Sequence, residues 1–438
     1  MSAKFDSQLN ELLHAGIITP EIHQNIHDYY DRKHPDKSSN RMLLVFGIIG
    51  AMLVGLGAIL IIAHNWDQLS VPVKVIIAFL PLLACQGFCA YALFSKKRSD
   101  YLIEVASALL CFAIGTCIAL ISQIYNIEGN LASFLLTWTL LYLPVIYVMR
   151  SGIASLFSLL LVTYYGVNEA YFSHDHDFNW YFILLACIGP AYYFLLTRRP
   201  LSNFTVFHHW LIALSLTIML GSFGESTGEW LFAGYMNLFT CFYLVGNLPV
   251  FRAQRRRDSG YLAIGSAGII AVLLISSFEF LWKEVIGKGL RNEGLLSDEF
   301  MVSTVLFIAG IILLMVLNRI QKDHSNRPLE YVFVIYFVLF FLSAVSLVIP
   351  QILVNLLLLI ISVLVILKGV KTDRLEIVNY GLVILSAQII CRFFDTEMSF
   401  LLRGLLFIVV GAGFFFTNYR MLNRRKSKII SLSKSPEA

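Results

Sequence analysis

Long apolar runs alternate with short polar segments along almost the whole chain. The runs are roughly 18–24 residues long, and a helix needs about 20 residues to cross the hydrocarbon core of a membrane. Backbone polar groups in lipid need partners within the chain, so each run is predicted to be a transmembrane helix. The expected spans lie near 42–63, 71–94, 101–122, 131–149, 152–172, 179–196, 206–223, 230–250, 261–282, 300–318, 330–349, 351–370, 376–393 and 399–418.

The first forty residues have a different pattern, because their apolar positions recur at helical spacing among polar ones. This predicts two short amphipathic helices, with Gly16 as the left-handed cap of the first. Thr19 is expected to cap the second, with Pro20 at its first position. The predicted segments are a cytoplasmic two-helix hairpin at 1–41, a transmembrane domain at 42–418 and a basic cytoplasmic tail at 419–438.

Composition supports a membrane protein. The chain of 438 residues is 58% hydrophobic and 14% charged, and its mean hydropathy is +0.74. Soluble domains carry about 25% charged residues. The apolar run that starts at Met42 is too long for a cleaved signal segment, so it is expected to remain as an anchor. The fold class is therefore predicted to be all-α, a polytopic transmembrane helix bundle of about 14 spans.

Charge distribution gives the expected orientation. Of the 33 Lys and Arg residues, 27 fall on the side of the two termini if the chain crosses the membrane at the expected spans. Loops rich in Lys and Arg stay on the cytoplasmic side, so both termini are predicted to be cytoplasmic. The apolar stretch 329–370 would measure about 60 Å as one helix, twice the membrane core. A hairpin at Pro350 is expected to divide it.

Polar residues gather at the helix ends that this topology places outside. His64, Asn65, Trp66 and Asp67 end the first span, Gln123 and Tyr125 end the third, and Glu169 ends the fifth. One interpretation is an interfacial belt, in which such residues meet the lipid headgroups. The other is a polar cavity open to the outer face, with these residues as ligand contacts.

Three charged residues near the C-terminus are also candidates for either a ligand site or a structural contact. Arg392 and Asp395 end the thirteenth span, and Arg403 lies about one turn inside the fourteenth, across a short loop. Asp395 could neutralise one arginine and leave the other to bind a phosphate or carboxylate. Alternatively, the three residues form a structural clamp that holds the hairpin.

No motif for nucleotide, metal or nucleophilic chemistry is found. The seven cysteines lie in apolar runs, and the His and Asp residues of "SHDHDFNW" alternate on one loop, a poor basis for a zinc site. An enzyme using Glu169 or Asp395 as general base would lack an identified nucleophile or metal. We therefore expect no enzymatic activity, no cofactor, no metal site and no nucleic-acid partner.

Three stretches carry a resemblance to a known family. They are "HAGIITPEIHQNIHDYY", "LGAILIIAHNWDQL" and "IALISQIYNIEGNLASFLLTWTLLYLP". They resemble a family of bacterial polytopic membrane proteins known as domain of unknown function 2157, over roughly residues 8–165. The C-terminal "RFFDTEMSFLLRGLLFIVVGAGFFF" is similar to the ending of long members. The resemblance implies a membrane fold in the bacterial inner membrane and no particular activity.

Two functions remain open from the sequence. In the first, the protein binds or transports an anionic or amphipathic envelope solute or lipid through the outward-facing polar cavity. Its partners are then membrane lipid and an anionic solute or lipid headgroup. In the second, it is a non-catalytic membrane scaffold or sensor whose N-terminal hairpin recruits a partner or a second copy of the chain.

Overall fold

The computed structural model describes most of the chain as helix. Within the described residues there is no strand. Those residues are 9, 12–13, 15–33, 66–95, 100–172, 179–224, 229–252, 259–286, 297–321, 327–395, 404–405, 408, 411–413, 415 and 419.

The N-terminal segment confirms two expected helix boundaries. Gly16 takes a φ of +67°, and its N–H donates to the carbonyl of Leu13 at 3.1 Å. Thr19 then precedes α1 (Pro20–Lys33), and its hydroxyl oxygen accepts the N–H of Ile22 at 3.4 Å. The left-handed glycine and the threonine cap therefore act as expected. Most of the first expected helix lies outside the described residues, so the hairpin stays a prediction.

Fourteen more helices follow in the described residues, after a 3₁₀ turn at Trp66–Gln68. A π-helical segment, Leu281–Ile286, follows α11. The helices are α2 (Val71–Phe94), α3 (Asp100–Ile124), α4 (Leu131–Tyr142), α5 (Val145–Met149), α6 (Gly152–Phe172), α7 (Tyr181–Arg198), α8 (Asn203–Leu220), α9 (Glu229–Gly246), α10 (Pro249–Arg252), α11 (Gly260–Ile275), α12 (Asp298–Ile320), α13 (Val332–Leu342), α14 (Val348–Lys371) and α15 (Leu375–Asp395).

These helices make the chain a multi-pass membrane protein. Eight helical segments in the described residues are long and apolar enough to cross a membrane. Four shorter apolar helices, α9, α11, α13 and α15, cover further expected spans. The expected spans 42–63 and 399–418 lie outside the described residues, apart from isolated helical positions in the second. The total of fourteen crossings therefore stays a prediction.

Proline placement explains two differences from the expected spans. The hairpin expected at Pro350 lies earlier in the chain, between α13 and α14, and Pro350 is in the first turn of α14. The backbone N–H groups of a first helical turn have no partner within the helix, so the N–H that proline lacks is not missed there. At Pro144 the fourth expected span divides into α4 and α5. At both places the chain is helical on either side of the division.

Two large hydrophobic cores divide the described helices between Phe79 and Asp395, and a small third cluster lies between α14 and α15. One core is formed by α2 to α7, which we call the first bundle, and the other by α9 to α15, the second bundle. Helix α8 contributes to both, because it packs on α6 and on α11. In the first bundle α6 packs against α3, α4, α7 and α8, and it is therefore the central helix.

The second bundle is close-packed. Helix α9 packs against both α11 and α12. A Cβ atom added to Gly265 would lie 2.5 Å from the backbone nitrogen of Tyr243, so only glycine allows α9 and α11 to approach this closely. The ring of Trp230 lies 4.8 Å from the rings of both Phe300 and Phe340. Such aromatic pairs stabilise a core beyond the area that they bury.

Candidate functional sites in the first bundle

A groove lies between α2, α3 and α4, which we call the Ser133 groove. Its volume is about 560 Å³, within the range of small-molecule sites. Most of its wall is apolar, with contributions from Leu82, Ile114, Ile118 and Phe134. Its polar lining residues are Gln86, Ser122, Glu128, Asn130, Ser133 and Thr137.

Two helix termini position the polar side of this groove. Helix α3 ends at a left-handed Asn126, with φ 48°, and the N–H of Ile127 donates to the carbonyl of Ser122 at 2.9 Å. Asn130 then caps α4, because its side-chain oxygen accepts both the N–H of Ser133 at 2.8 Å and its hydroxyl at 2.7 Å. Such a cap stabilises a helix by about 1 kcal/mol. The turn between the two helices is therefore fixed, and so is the rim of the groove.

Gln123 and Tyr125, two of the expected site residues, lie at this same end of α3. Both are exposed, and Tyr125 is 57% exposed. The groove is lined by their neighbour Ser122 but by neither of these two side chains. They lie beside the groove rather than inside it. Their role in binding stays a prediction.

Trp66 and Asp67 lie in the 3₁₀ turn before α2. The ammonium group of Lys74 lies 5.5 Å from the centre of the Trp66 ring, a cation–π contact. Asp67 is exposed. Their neighbours His64 and Asn65 lie outside the described residues.

The remaining expected site residues are only partly described. Glu169 is half-buried in the last turn of α6 and lines neither of the cavities described here. Arg392 and Asp395 fall on the last turn of α15, but their side chains are outside the described part, as is all of Arg403. The arginine–aspartate cluster therefore stays a prediction.

A second cavity lies at the opposite end of α3, which we call the Arg150 cavity. Its volume is about 600 Å³. Helices α3, α5, α6, α7 and α8 contribute to it. Its wall includes Ile146, Met149, Phe194 and Leu195, and its polar lining residues are Asp100, Glu104, Arg150, Ser151, Ser155 and Arg199.

Glu104 joins α3 to the start of α6 in this cavity. Its carboxylate accepts the N–H of Gly152 at 3.0 Å and that of Ile153 at 2.8 Å. The hydroxyl of Ser151 also donates to it. The first N–H groups of a helix have no partner within the helix and favour negative charge. The carboxylate of Glu104, on α3, therefore accepts the first N–H groups of α6. These hydrogen bonds hold α3 against the start of α6 and fix one wall of the cavity.

Ser155 connects the cavity wall to a histidine inside the bundle. Its Oγ lies 2.7 Å from Nε2 of His208, which is fully buried on α8. The other ring nitrogen, Nδ1, lies 2.7 Å from the carbonyl oxygen of Phe204. A carbonyl only accepts, so Nδ1 carries the hydrogen. In the neutral ring Nε2 is therefore the acceptor of the Ser155 hydroxyl.

A second polar cluster lies farther along α6. The hydroxyl oxygens of Thr163 and Ser215 are 2.7 Å apart, and that of Tyr181 lies 2.6 Å from Ser215. This cluster joins α6, α7 and α8 through side chains that satisfy one another. Buried hydroxyls in a membrane interior need such partners.

Sequence patterns did not identify the Arg150 cavity or the Ser155–His208 pair. The adjacent histidines of "FHHW" were the available signal, because ionisable residues within a membrane span are costly and usually have a functional partner. Ser155 carried no such signal, since single serines are common in membrane helices. In the part of the chain that the structure describes, no group of three His, Cys, Asp or Glu side chains could hold a metal ion.

Comparison with known proteins supports the membrane assignment. Residues 10–155 match the model of a family described as predicted membrane protein (DUF2157), which confirms the resemblance expected from the sequence. The match contains the whole Ser133 groove and the α3, α5 and α6 residues of the Arg150 cavity. No curated protein and no solved structure matches the chain. The chain is therefore a multi-pass membrane protein whose first third, residues 10–155, matches the predicted membrane protein family DUF2157.

Proposed function

We propose that the protein crosses the bacterial inner membrane fourteen times, with both termini in the cytoplasm. The twelve apolar helical segments in the described residues, found at twelve of the expected spans, support this count. The concentration of Lys and Arg on one side supports the orientation. In this topology the Arg150 cavity faces the cytoplasm and the Ser133 groove faces outward. A fluorescent protein fused after Ala438 should be fluorescent in cells, and an exported phosphatase fused there should be inactive.

The proposed function is the binding of an amphipathic envelope lipid or solute in the Ser133 groove. The observation that carries it is the division of the lining into an apolar wall and a polar rim at one helix end. An acyl or other apolar tail would lie along Ile114, Ile118 and Phe134. The headgroup would meet the hydroxyls of Ser122 and Ser133 at the rim. Transport of the bound molecule across the membrane is one use of such a site.

The charge of the groove lining limits which kind of headgroup the groove can bind. Glu128 is the charged residue among those that line the groove. A neutral or amine-bearing headgroup therefore fits the described lining better than an anion. An anionic headgroup would need Arg392 or Arg403 beside the groove. The proposal assigns binding without catalysis and involves no cofactor.

A substitution that fills the groove tests this function. Thr137 is exposed and lines the groove, whereas Leu140, on the same helix and 55% exposed, does not line it. Thr137→Trp should reduce several-fold the amount of lipid or solute that remains with the purified full-length protein in native mass spectrometry. Leu140→Trp, the matched control, should retain as much as the parent protein. Equal retention by both variants, or no retained molecule in the parent, would contradict the proposal.

A second candidate function is a scaffold or sensor role for the N-terminal segment. Ile17 and Ile22 are 69% and 48% exposed there, and such apolar side chains suit a protein partner or a second copy of the chain. Deletion of residues 1–36 distinguishes the two functions. Loss of protein complexes with unchanged lipid retention would favour the scaffold.

A further inference from the structure

The Arg150 cavity has the size and the division of polarity of a second ligand site. Its volume of about 600 Å³ is typical of small-molecule sites. Apolar side chains of α5 and α7, among them Met149 and Phe194, form one part of its lining. Charged and hydroxyl groups form the other part. An amphipathic molecule could therefore place its tail and its headgroup on different walls.

The ion pairs of the cavity leave one cation for a ligand. Arg199 pairs with Asp100 at 3.0 Å. The carboxylate of Glu104 is held by the N–H groups at the start of α6, and none of the ion pairs found among the described residues joins it to Arg150. Arg150 is exposed, and none of the ion pairs found among the described residues includes it. Its guanidinium group is thus available for an oxyanion, which it suits geometrically.

The backbone of Arg150 supports a functional role for this side chain. Its φ of 53° lies in the left-handed region, where it ends α5 just before Ser151 caps α6. Glycine or asparagine is favoured at such positions, and a left-handed arginine costs about 1 kcal/mol. This conformation at the mouth of a cavity is compatible with a functional role for the side chain, although Asn126 and Asp373 end helices in the same way.

Ser155 gives the cavity a hydroxyl group whose direction depends on His208. When the ring is neutral, the Ser155 hydroxyl donates to Nε2 and offers only lone pairs to the cavity. When the ring is protonated, Nε2–H donates to Oγ of Ser155 instead. The hydroxyl hydrogen is then released and can donate to a ligand in the cavity. Protonation thus changes Ser155 from an acceptor to a donor, with one proton gained by the ring.

We propose that the Arg150 cavity binds the oxyanion headgroup of an amphipathic molecule, and that protonation of His208 strengthens this binding through Ser155. The site does not involve the Ser133 groove, so either binding function can fail without the other.

Other titratable and charged groups surround His208. Tyr192 of α7 stacks on its ring with centroids 5.8 Å apart, and His209 is its neighbour on α8. Tyr261 of α11 packs against His209 with ring centroids 5.2 Å apart. Toward the cavity, the charged groups are Asp100, Glu104, Arg150 and Arg199. The test must therefore separate His208 from these groups by substitution.

Calorimetric titration with hexanesulfonate tests the proposal, because this probe keeps one negative charge at every pH used. The full chain is measured in neutral maltoside detergent from about pH 4 to about pH 8, which extends below the range in which an exposed histidine titrates. We expect affinity to rise as pH falls, by about tenfold, the effect of one added charge-assisted hydrogen bond. Methanesulfonate, which lacks the tail, and hexanol, which lacks the anion, should each bind at least tenfold more weakly, a difference of about 1.4 kcal/mol.

Substitutions identify the groups responsible. Arg150→Gln should lower the affinity about tenfold at every pH. Arg198→Gln is the matched control. Arg198 is exposed at the end of α7, next to the lining residue Arg199, but does not itself line the cavity. It should change the affinity less than twofold. His208→Gln and Ser155→Ala should each abolish the pH dependence while binding of hexanesulfonate persists.

Specific results would overturn the proposal. Unchanged affinity in Arg150→Gln would remove the anion site. The parental pH dependence in Ser155→Ala would remove the role of the hydroxyl, even if His208→Gln did not fold. Methanesulfonate binding as tightly as hexanesulfonate would show a free oxyanion site and no amphipathic ligand.

Discussion

The first and second bundles bury their polar groups in different surroundings. In the first bundle, Ser155 and His208 pair beside a cavity of about 600 Å³. In the second, Arg327 and Glu330 form an ion pair at 3.1 Å, and each is 1% exposed. Both bundles have glycines at which an added Cβ would clash, with a side chain at Gly115 in the first bundle and with the backbone at Gly265 in the second. A polar group beside open space can respond to a ligand, whereas one enclosed by packed side chains mainly fixes the structure. Under the binding function that we propose, the first bundle would hold the ligand and the second would mainly support the structure.

The largest effect is expected from breaking the buried ion pair of the second bundle. Arg327→Met leaves the carboxylate of Glu330 buried without this partner, so the free energy of unfolding should fall by about 3–5 kcal/mol. The double variant Arg327→Met, Glu330→Leu removes both charges and should recover much of this loss. Denaturation of the purified variants measures both changes. A single variant as stable as the parent would show that this bundle does not depend on the pair.

Glycine packing should have the next largest effect. Gly265→Ala places a Cβ 2.5 Å from the Tyr243 nitrogen and 2.7 Å from the carbonyl oxygen of Phe239, both backbone atoms that cannot move independently. We expect a loss of about 1–3 kcal/mol. Gly189→Ala in the first bundle is the matched control, because no heavy atom lies within 4 Å of its added Cβ. It should not destabilise the protein in thermal melts. Similar melting losses in both variants would contradict the close approach of α9 and α11 at Gly265.

Replacement of Glu104 tests the fixed wall of the Arg150 cavity. Glu104→Gln puts an amide in place of a carboxylate that accepts from Gly152, Ile153 and Ser151. Loss of these charge-assisted bonds should cost about 1.5–3 kcal/mol. Glu376→Gln, in the exposed first turn of α15, removes an acidic group from a helix start without such partners from another helix. Its cost should stay below about 1 kcal/mol in the same melts. Equal costs would mean that Glu104 acts only through the helix dipole.

Two tyrosines give the smallest and most closely matched comparison. Tyr181 of the first bundle bonds Ser215 at 2.6 Å, and Tyr336 of the second bonds Ser276 at 2.8 Å. Ser215 keeps Thr163 as a partner when Tyr181 is changed to Phe. We therefore expect Tyr181→Phe to cost a few tenths of a kcal/mol, and Tyr336→Phe about 1 kcal/mol, in chemical denaturation. The opposite order would indicate that the polar cluster of the first bundle is the more rigid one.

The fold was predictable from sequence wherever one strong signal decided the local structure. The apolar run at 71–94 coincides with α2, and Gly16 and Thr19 fix helix boundaries as their chemistry predicts. The hairpin was wrongly predicted at Pro350. The sequence does not distinguish a proline in the first turn of a helix from a proline in a loop.

The candidate sites were less predictable because they depend on contacts between distant residues. Glu104 meets Ser151 across 47 residues, and Ser155 meets His208 across 53. No periodic pattern reports such contacts. Arg327 looked like one more loop charge of the basic side, yet it is buried with Glu330. The prediction of Gln123 identified the correct end of α3, but its neighbour Ser122 lines the groove instead.

The most direct test of the division between the bundles is photochemical labelling. The full-length protein would be purified in neutral detergent from cells fed a diazirine fatty acid, so that only retained lipid is present during irradiation. Mass spectrometry of the labelled peptides then locates that lipid. Our account predicts that labels concentrate within residues 79–86 and 114–141, which include the lining of the Ser133 groove, and that Thr137→Trp removes the labels from these residues. Labels that concentrate in residues 229–384 of the second bundle, or that persist in residues 79–86 and 114–141 of Thr137→Trp, would contradict it.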